Sequence, residues 1–363
     1  MDQNHNNLQD FNGSEHEPRT NESPEVERAQ AIARNSKNLK KTFSSLGFAL
    51  AITLCMTLVA QILVLNIINA LAPEIINKTW VQLSVSSLTM YIFGMGAGYL
   101  FLKATKTPAT APEKKKLKFS HWLLVLIISF GAMYTGNLIG TVFTGIVSNI
   151  LGYEVENTLV SILGSGPSVA LILVYMVILA PILEELFFRK ILIDRMLPYG
   201  EKISIFVSAL LFGLFHGNFN QFFYATILGL ILGFIYCKTG DIKHTIYLHM
   251  TINFFGSIVP MLLTELIDMD AIAQALETKD LQILFDNAAS LAVYAAYSML
   301  IYAVWILGIV FFFLFIKRYT FKKSELLLPE GAERTKLYYL NPGMIVTFIF
   351  CAILMISSLL PTA

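Results

Sequence analysis

Apolar residues along this chain gather in long runs, separated by short segments that hold most of the charged residues. A helix needs about 20 consecutive apolar residues to cross the hydrocarbon core of a bilayer. The pattern predicts an all-α, polytopic transmembrane helical bundle with helices at 44–71, 81–103, 121–149, 168–195, 203–217, 220–237, 242–263, 289–316 and 342–360. The segment at 203–217 is short for a span, so we expect eight or nine spans in all.

Composition agrees with a membrane-embedded chain. Hydrophobic residues make up 55% of the 363 residues and charged residues 14%, whereas a soluble domain contains roughly 25% charged residues. The formal net charge is +1, and no basic stripe is interleaved with aromatic residues. We therefore expect the lipid bilayer to surround most of the chain, and we expect no nucleic-acid partner.

Residues 1–42 differ from the rest of the chain. They are rich in Asn, Glu, Ser and Arg and show almost no apolar periodicity. This composition predicts a disordered, solvated tail before the first span.

Lysine and arginine alternate between the two sides of the predicted bundle. They occur in the tail before the first span and in the loops after the second, fourth, sixth and eighth spans. The loop at 151–167 contains neither, and the loop at 264–288 is acidic. Because positive residues remain on the cytoplasmic side, we expect the N-terminus to be cytoplasmic.

Polar and charged residues interrupt the fourth, fifth and seventh spans. Placing a charged side chain at mid-bilayer raises the free energy of insertion by roughly 2.5–3.5 kcal/mol even on the lenient insertion scale. A charged residue retained there therefore indicates a structural or functional role. Residues of this kind mark functional sites in membrane proteins more often than lipid-facing surface. Our candidate site residues are Glu184, Glu185, Arg189, His216, His249 and Asn253.

Helical spacing separates the two glutamates into different roles. Glu185 and Arg189 are four residues apart, so they share a helix face and can neutralise each other. Glu184 lies about 100° around the helix from Glu185 and is free to face a polar cavity. Pro181 lies three residues before Glu184, where its missing N–H can loosen the helix and admit water.

Depth decides whether these groups can meet. They can converge only if the fourth span continues past Arg189 to about Arg195, which buries the Arg189 charge. At about 1.5 Å per residue, the depths are then about 16 Å for Glu184, 21 Å for His216, 9 Å for His249 and 15 Å for Asn253.

The residue types indicate hydrolysis. A carboxylate in apolar surroundings is a usable general base, so Glu184 could deprotonate a water that His216 orients. His249 and Asn253, again four residues apart, could donate hydrogen bonds to the oxyanion of a tetrahedral intermediate. Together these residues predict hydrolysis of an amide bond at membrane depth.

Three ordered motifs carry a family resemblance: Glu-Glu-x-x-x-Arg at 184–189, Phe-x-x-x-His at 212–216 and His-x-x-x-Asn at 249–253. In these motifs, between about 179 and 256, the chain resembles the CAAX protease and bacteriocin-processing (CPBP, Abi) family of intramembrane peptidases, which is related to prenyl-protein endopeptidases. The resemblance implies that Glu184 and His216 activate water and that His249 and Asn253 form the oxyanion site. It gives Glu185 and Arg189 a supporting role.

The spans and the motifs together divide the chain. We expect N-terminal transmembrane helices at 43–163, a CAAX-protease-like catalytic core at 164–263, and a loop with C-terminal transmembrane helices at 264–363. We expect a multi-pass protein of a bacterial plasma membrane that cleaves a membrane-associated protein or peptide.

Alternatives to this mechanism remain open. The family has also been described as metallopeptidases, in which case Glu184, His216 and His249 would bind Zn²⁺. We expect no cofactor, because the chain has no His-Glu-x-x-His helix of the zincin kind. A non-catalytic membrane scaffold or bacteriocin-immunity factor with the same fold is a further alternative. A transporter is a third, although the spans outside the motif region offer no other buried charge.

Overall fold

The computed structural model describes residues 23–265, 274–275, 277–278, 281–316 and 319–361. All regular secondary structure within these ranges is helical, which confirms the predicted all-α fold. Seven helices of the described residues are long and apolar enough to cross a bilayer, or eight if one bent pair forms a single span. The protein is therefore an integral, multi-pass membrane protein.

We number the main helices in chain order and use these labels below. They are α1 Pro24–Leu71, α2 Thr79–Thr105, α3 Phe119–Leu151, α4 Thr158–Gly164, α5 Val169–Tyr199, α6 Glu201–Phe215, α7 Phe219–Thr239, α8 Ile242–Leu263, α9 Leu281–Asp286, α10 Ala288–Ile316, α11 Gly331–Tyr339 and α12 Pro342–Ser357.

Each predicted span has a helix at its position, but α6 and α12 differ from a regular single span. The predicted span at 203–217 is α6, which has 15 residues and is too short to be counted among the spans. The predicted span at 342–360 is α12, which is bent by 61° against α11. That this segment crosses the bilayer remains a prediction.

The first helix begins much earlier than the apolar pattern predicts. It starts at Pro24, so the prediction that 24–42 belongs to a disordered tail is wrong. This segment contains Glu, Arg, Ala, Gln and Lys, which are strong helix formers even where no apolar face is present. The side chain of Asn35 also ties it to the body of the protein by donating to the Leu327 carbonyl at 2.9 Å. Residues 1–22 of the predicted tail lie outside the described residues.

The lysine-bearing loops after α2, α5, α7 and α10 meet at one end of the bundle. Lys115 donates its backbone N–H to the Thr239 carbonyl at 2.7 Å. Glu201 accepts from the Lys238 ammonium and, at 2.9 Å, from the Lys322 backbone N–H. Loops assigned to one side by their charge are thus neighbours in space. That this end faces the cytoplasm, with the N-terminus inside, remains a prediction.

Close contact between α6 and α7 fixes the helix that leads to His216. A Cβ atom added at Gly229 would lie 3.0 Å from the Ala209 Cα atom, and one at Gly213 would lie 2.8 Å from the Phe222 carbonyl oxygen. Glycine, which has no side chain, permits the two helix backbones to lie this close together. Such contacts are typical of small-residue helix interfaces in membranes.

Replacing Gly229 by leucine should therefore destabilise the folded protein, because the new side chain collides with the α6 backbone. Overpacking of this kind costs about 1–3 kcal/mol, which thermal unfolding in detergent should reveal as a lower midpoint. Gly145→Leu in α3 is the matched control, since nothing lies within 4 Å of its added Cβ. Equal midpoints for the two variants would contradict the proposed contact.

Candidate active site

Helix α5 satisfies the depth condition for the site. It continues past Arg189 to Tyr199, as the convergence of the polar residues requires. The Arg189 side chain has 0% exposure, so its charge lies inside the bundle. The structure therefore confirms the length of this span and the burial of the arginine.

The expected ion pair between Glu185 and Arg189 is present and completely buried. Arg189 Nε lies 3.2 Å from Glu185 Oε2, and neither side chain is exposed. The guanidinium N–H groups are not aligned for hydrogen bonds, and its central carbon lies 4.5 Å from the centroid of the Phe212 ring. The charge of Arg189 is thus balanced mainly by proximity to the Glu185 carboxylate and by the face of an aromatic ring.

His249 lies between the two glutamates. Its Nδ1 atom is 3.1 Å from Glu185 Oε1, and its Nε2 atom is 3.9 Å from Glu184 Oε2. The ring is 3% exposed and meets the Phe212 ring edge-on at 5.8 Å. The ion pair, the histidine and Glu184 therefore form one continuous polar chain across α5 and α8.

Glu184 is buried, and one of its oxygens has a protein donor. Tyr91 in α2 donates its hydroxyl to Glu184 Oε1 at 3.0 Å. The other oxygen, Oε2, faces His249 at a distance beyond a direct hydrogen bond. This arrangement fixes the plane of the Glu184 carboxylate and leaves Oε2 available to a water or a substrate.

His216 stands at the turn that joins α6 to α7. Gly217 has a φ of 66°, which ends α6 directly after His216, and the Asn218 side chain accepts from the Gln221 N–H to begin α7. His216 Nδ1 lies 2.9 Å from the Phe212 carbonyl oxygen. Because a carbonyl only accepts, Nδ1 carries the proton and Nε2 of the neutral ring is an acceptor.

Asn253 has a partner that the sequence does not indicate. Its Nδ2 atom donates to the Met176 carbonyl of α5 at 2.8 Å. One amide hydrogen is therefore engaged with the α5 backbone. That Asn253 donates to the oxyanion remains a prediction.

Tyr91 is the site residue that sequence reasoning missed. It lies in α2, outside the segment that carries the motifs, and it is 7% exposed. The sequence signal is weak, because the chain contains 15 tyrosines and a tyrosine within an apolar run is common. Its contact with Glu184 depends on how α2 packs against α5.

The zinc alternative requires Glu184, His216 and His249 to converge on one ion as ligands. Across the described ranges, no group of three or more His, Cys, Asp and Glu residues is placed to hold a metal ion. Glu184, His216 and His249 therefore do not fit a zinc site in this arrangement.

Comparison with known proteins agrees with the motifs. Residues 166–255 match the family model described as Type II CAAX prenyl endopeptidase Rce1-like, which confirms the predicted resemblance and lies inside the predicted core at 164–263. The chain is 32% identical over 115 residues to the Bacillus subtilis protein named "Putative membrane peptidase YdiL", covering 31% of this chain and 46% of that protein. The match thus spans less than half of the length of this relative. No solved structure matches the chain.

Removing one partner of the buried ion pair should cost more stability than removing both. Arg189→Leu leaves the Glu185 carboxylate buried without its counter-charge, which typically costs about 3–5 kcal/mol. The double variant Glu185→Gln with Arg189→Leu removes that charge, and its thermal midpoint in detergent should lie above that of Arg189→Leu.

The exposed pair of Glu113 and Lys115 supplies the control, since its side chains are 72% and 58% exposed. Lys115→Leu should leave the midpoint nearly unchanged because exposed pairs contribute little. A double variant less stable than Arg189→Leu would refute the view that the uncompensated charge is the main cost.

Proposed function

We propose that this chain is an intramembrane peptidase that hydrolyses a peptide bond of a membrane-associated protein or peptide. The observation that carries the proposal is the buried Glu184 carboxylate, which is oriented by Tyr91 and faces His249. The match of residues 166–255 to a peptidase family supports the same reaction class.

In this mechanism, Glu184 is the general base. Its Oε2 atom takes a proton from a water molecule, and the hydroxide adds to the carbonyl carbon of the substrate. His216 Nε2 accepts the second hydrogen of that water and aims its lone pair at the carbonyl. Collapse of the tetrahedral intermediate breaks the C–N bond, and Glu184 returns its proton to the leaving amine.

The negative charge that develops on the substrate oxygen needs hydrogen-bond donors. His249 Nε2 is our proposed main donor, because its position beside Glu184 Oε2 borders the space for the attacking water. While Nδ1 donates to Glu185, Nε2 donates only if the ring carries both protons. The Glu185–Arg189 pair is then a support that holds the His249 ring in orientation.

Exposure supports access from one side of the site. Glu184 and His249 are buried, whereas His216 and Asn253 are half-buried. A substrate backbone can thus approach past His216 and Asn253 while the base stays shielded from bulk water. Because the matched family is described as CAAX prenyl endopeptidases, a prenylated CAAX peptide is the first substrate to test.

Glu184→Ala and His216→Ala should each reduce cleavage by roughly 10²–10⁴-fold, since each removes a group that handles the water. Membranes of cells carrying the wild type should contain cleavage products that are missing from membranes of cells carrying Glu184→Ala. Glu113→Ala, at an exposed carboxylate, is the matched control and should retain the wild-type pattern.

Wild-type cleavage by Glu184→Ala would overturn the proposal, and a cellular phenotype that survives this substitution would favour a scaffold or bacteriocin-immunity factor. Chelation tests the metal alternative on the same preparation. Loss of cleavage on chelation, followed by recovery on adding Zn²⁺, would replace the metal-free mechanism with a metallopeptidase mechanism.

Tyr91→Phe should lower kcat by roughly 10-fold while KM changes little, because the lost hydrogen bond orients the base and does not contact substrate. The assay is cleavage of the substrate identified from the membrane peptides. Tyr199→Phe is the control. It also removes a buried hydrogen bond, the one to Thr42 at 3.2 Å, but this bond is remote from Glu184. A kcat for Tyr91→Phe equal to that of this control would remove Tyr91 from the mechanism.

A further inference from the structure

Helix α5 changes its hydrogen-bond register just before the catalytic glutamates. Residues Leu173–Leu179 are π-helical, and the Ala180 N–H donates to the Tyr175 carbonyl, five residues earlier. A short α-helical segment, Ala180–Glu185, follows, and a second π-helical stretch begins at Leu186. Glu184 and Glu185 therefore stand on six α-helical residues between two wider turns.

The register change leaves the Met176 carbonyl of α5 without its helical donor. In regular α-helix, Met176 would accept from the Ala180 N–H, but that N–H is used by Tyr175. In the π register its donor would be residue 181, which is proline and has no N–H. In hydrocarbon, an unsatisfied carbonyl is strongly destabilising, so Met176 needs a donor from elsewhere.

The side chain of Asn253 supplies this donor. Its Nδ2 atom lies 2.8 Å from the Met176 carbonyl oxygen, across the interface between α5 and α8. The bond replaces the hydrogen bond that Pro181 cannot make. It also ties the break in α5 to the helix that carries His249, one turn before Asn253.

We propose that Asn253 is a positioning residue, which holds the Pro181 break of α5 open and thereby sets the direction of Glu184 relative to His249. This role deepens the proposed function and, for its effect on activity, rests on it. It differs from the role of oxyanion donor that the motif implies, because it acts through the α5 backbone and not on the substrate.

The two roles make opposite predictions when Pro181 is also changed. Pro181→Ala restores a backbone N–H at residue 181, which can satisfy the Met176 carbonyl without Asn253. A positioning Asn253 then becomes partly dispensable. An oxyanion donor does not, because the substrate oxygen still lacks its hydrogen bond.

The experiment is a double-mutant cycle on the full chain in detergent, with kcat and KM measured for the substrate identified from membrane peptides. Asn253→Ala should lower kcat roughly 10- to 100-fold, the range expected for a misplaced catalytic group, with KM nearly unchanged. In the Pro181→Ala background, the further loss from Asn253→Ala should shrink to about twofold or less. An undiminished loss in that background would overturn the proposal and favour the oxyanion role.

Pairing Pro181→Ala with Tyr91→Phe is the matched control. The Tyr91 bond goes directly to Glu184, so restoring the backbone N–H should not relieve its loss. Relief of both variants alike would mean that Pro181→Ala acts generally, and the assignment to Asn253 would be withdrawn.

Thermal midpoints provide a second cycle that does not depend on activity. Asn253→Ala should lower the midpoint in the wild-type background, because the Met176 carbonyl loses its donor, and much less in the Pro181→Ala background. This cycle tests the contact between Asn253 and the Met176 carbonyl even if Pro181→Ala is inactive or Glu184→Ala still cleaves. Equal destabilisation in both backgrounds would refute the contact as the source of the effect.

Discussion

Burial of the Arg189 charge against Glu185 is the constraint on which the rest of the site depends. A guanidinium inside a bilayer-spanning bundle is tolerated only beside a counter-charge, and α5 provides one a single turn away. Once the pair lies inside, α5 has to continue to Tyr199 before it reaches the lysine-bearing end of the bundle. That extension keeps Glu184 inside the bundle, where its carboxylate meets residues from neighbouring helices.

The buried pair also organises the groups around it. Glu185 accepts from one nitrogen of His249, and the other nitrogen faces Glu184, so a single ring links a structural charge to the proposed base. Phe212 contacts both Arg189 and His249, and its carbonyl fixes the tautomer of His216. The contacts that stabilise Arg189 and Glu185 therefore also orient the two histidines. Removing one of the supporting groups should alter the orientation of a histidine.

Much of this protein follows from its sequence because a bilayer imposes simple rules. Apolar run length locates the spans, and the rarity of charge in hydrocarbon singles out Glu184, Arg189 and His249. The same rules fail where hydrocarbon does not decide the structure. The helical segment at 24–42 is polar, so neither its helix nor its bond to Leu327 leaves an apolar signature.

Tertiary structure alone decided which partner each polar group takes. Periodicity assigns a residue to a helix face, but it does not state what the neighbouring helix presents there. Tyr91 reaches Glu184 from a helix about 90 residues earlier, and Asn253 binds a carbonyl exposed by a π-helical register and a proline. The sequence by itself predicted that Glu184, His216, His249 and Asn253 lie together at membrane depth. Packing determined their hydrogen bonds, because these depend on register changes and helix approaches that spacing does not encode.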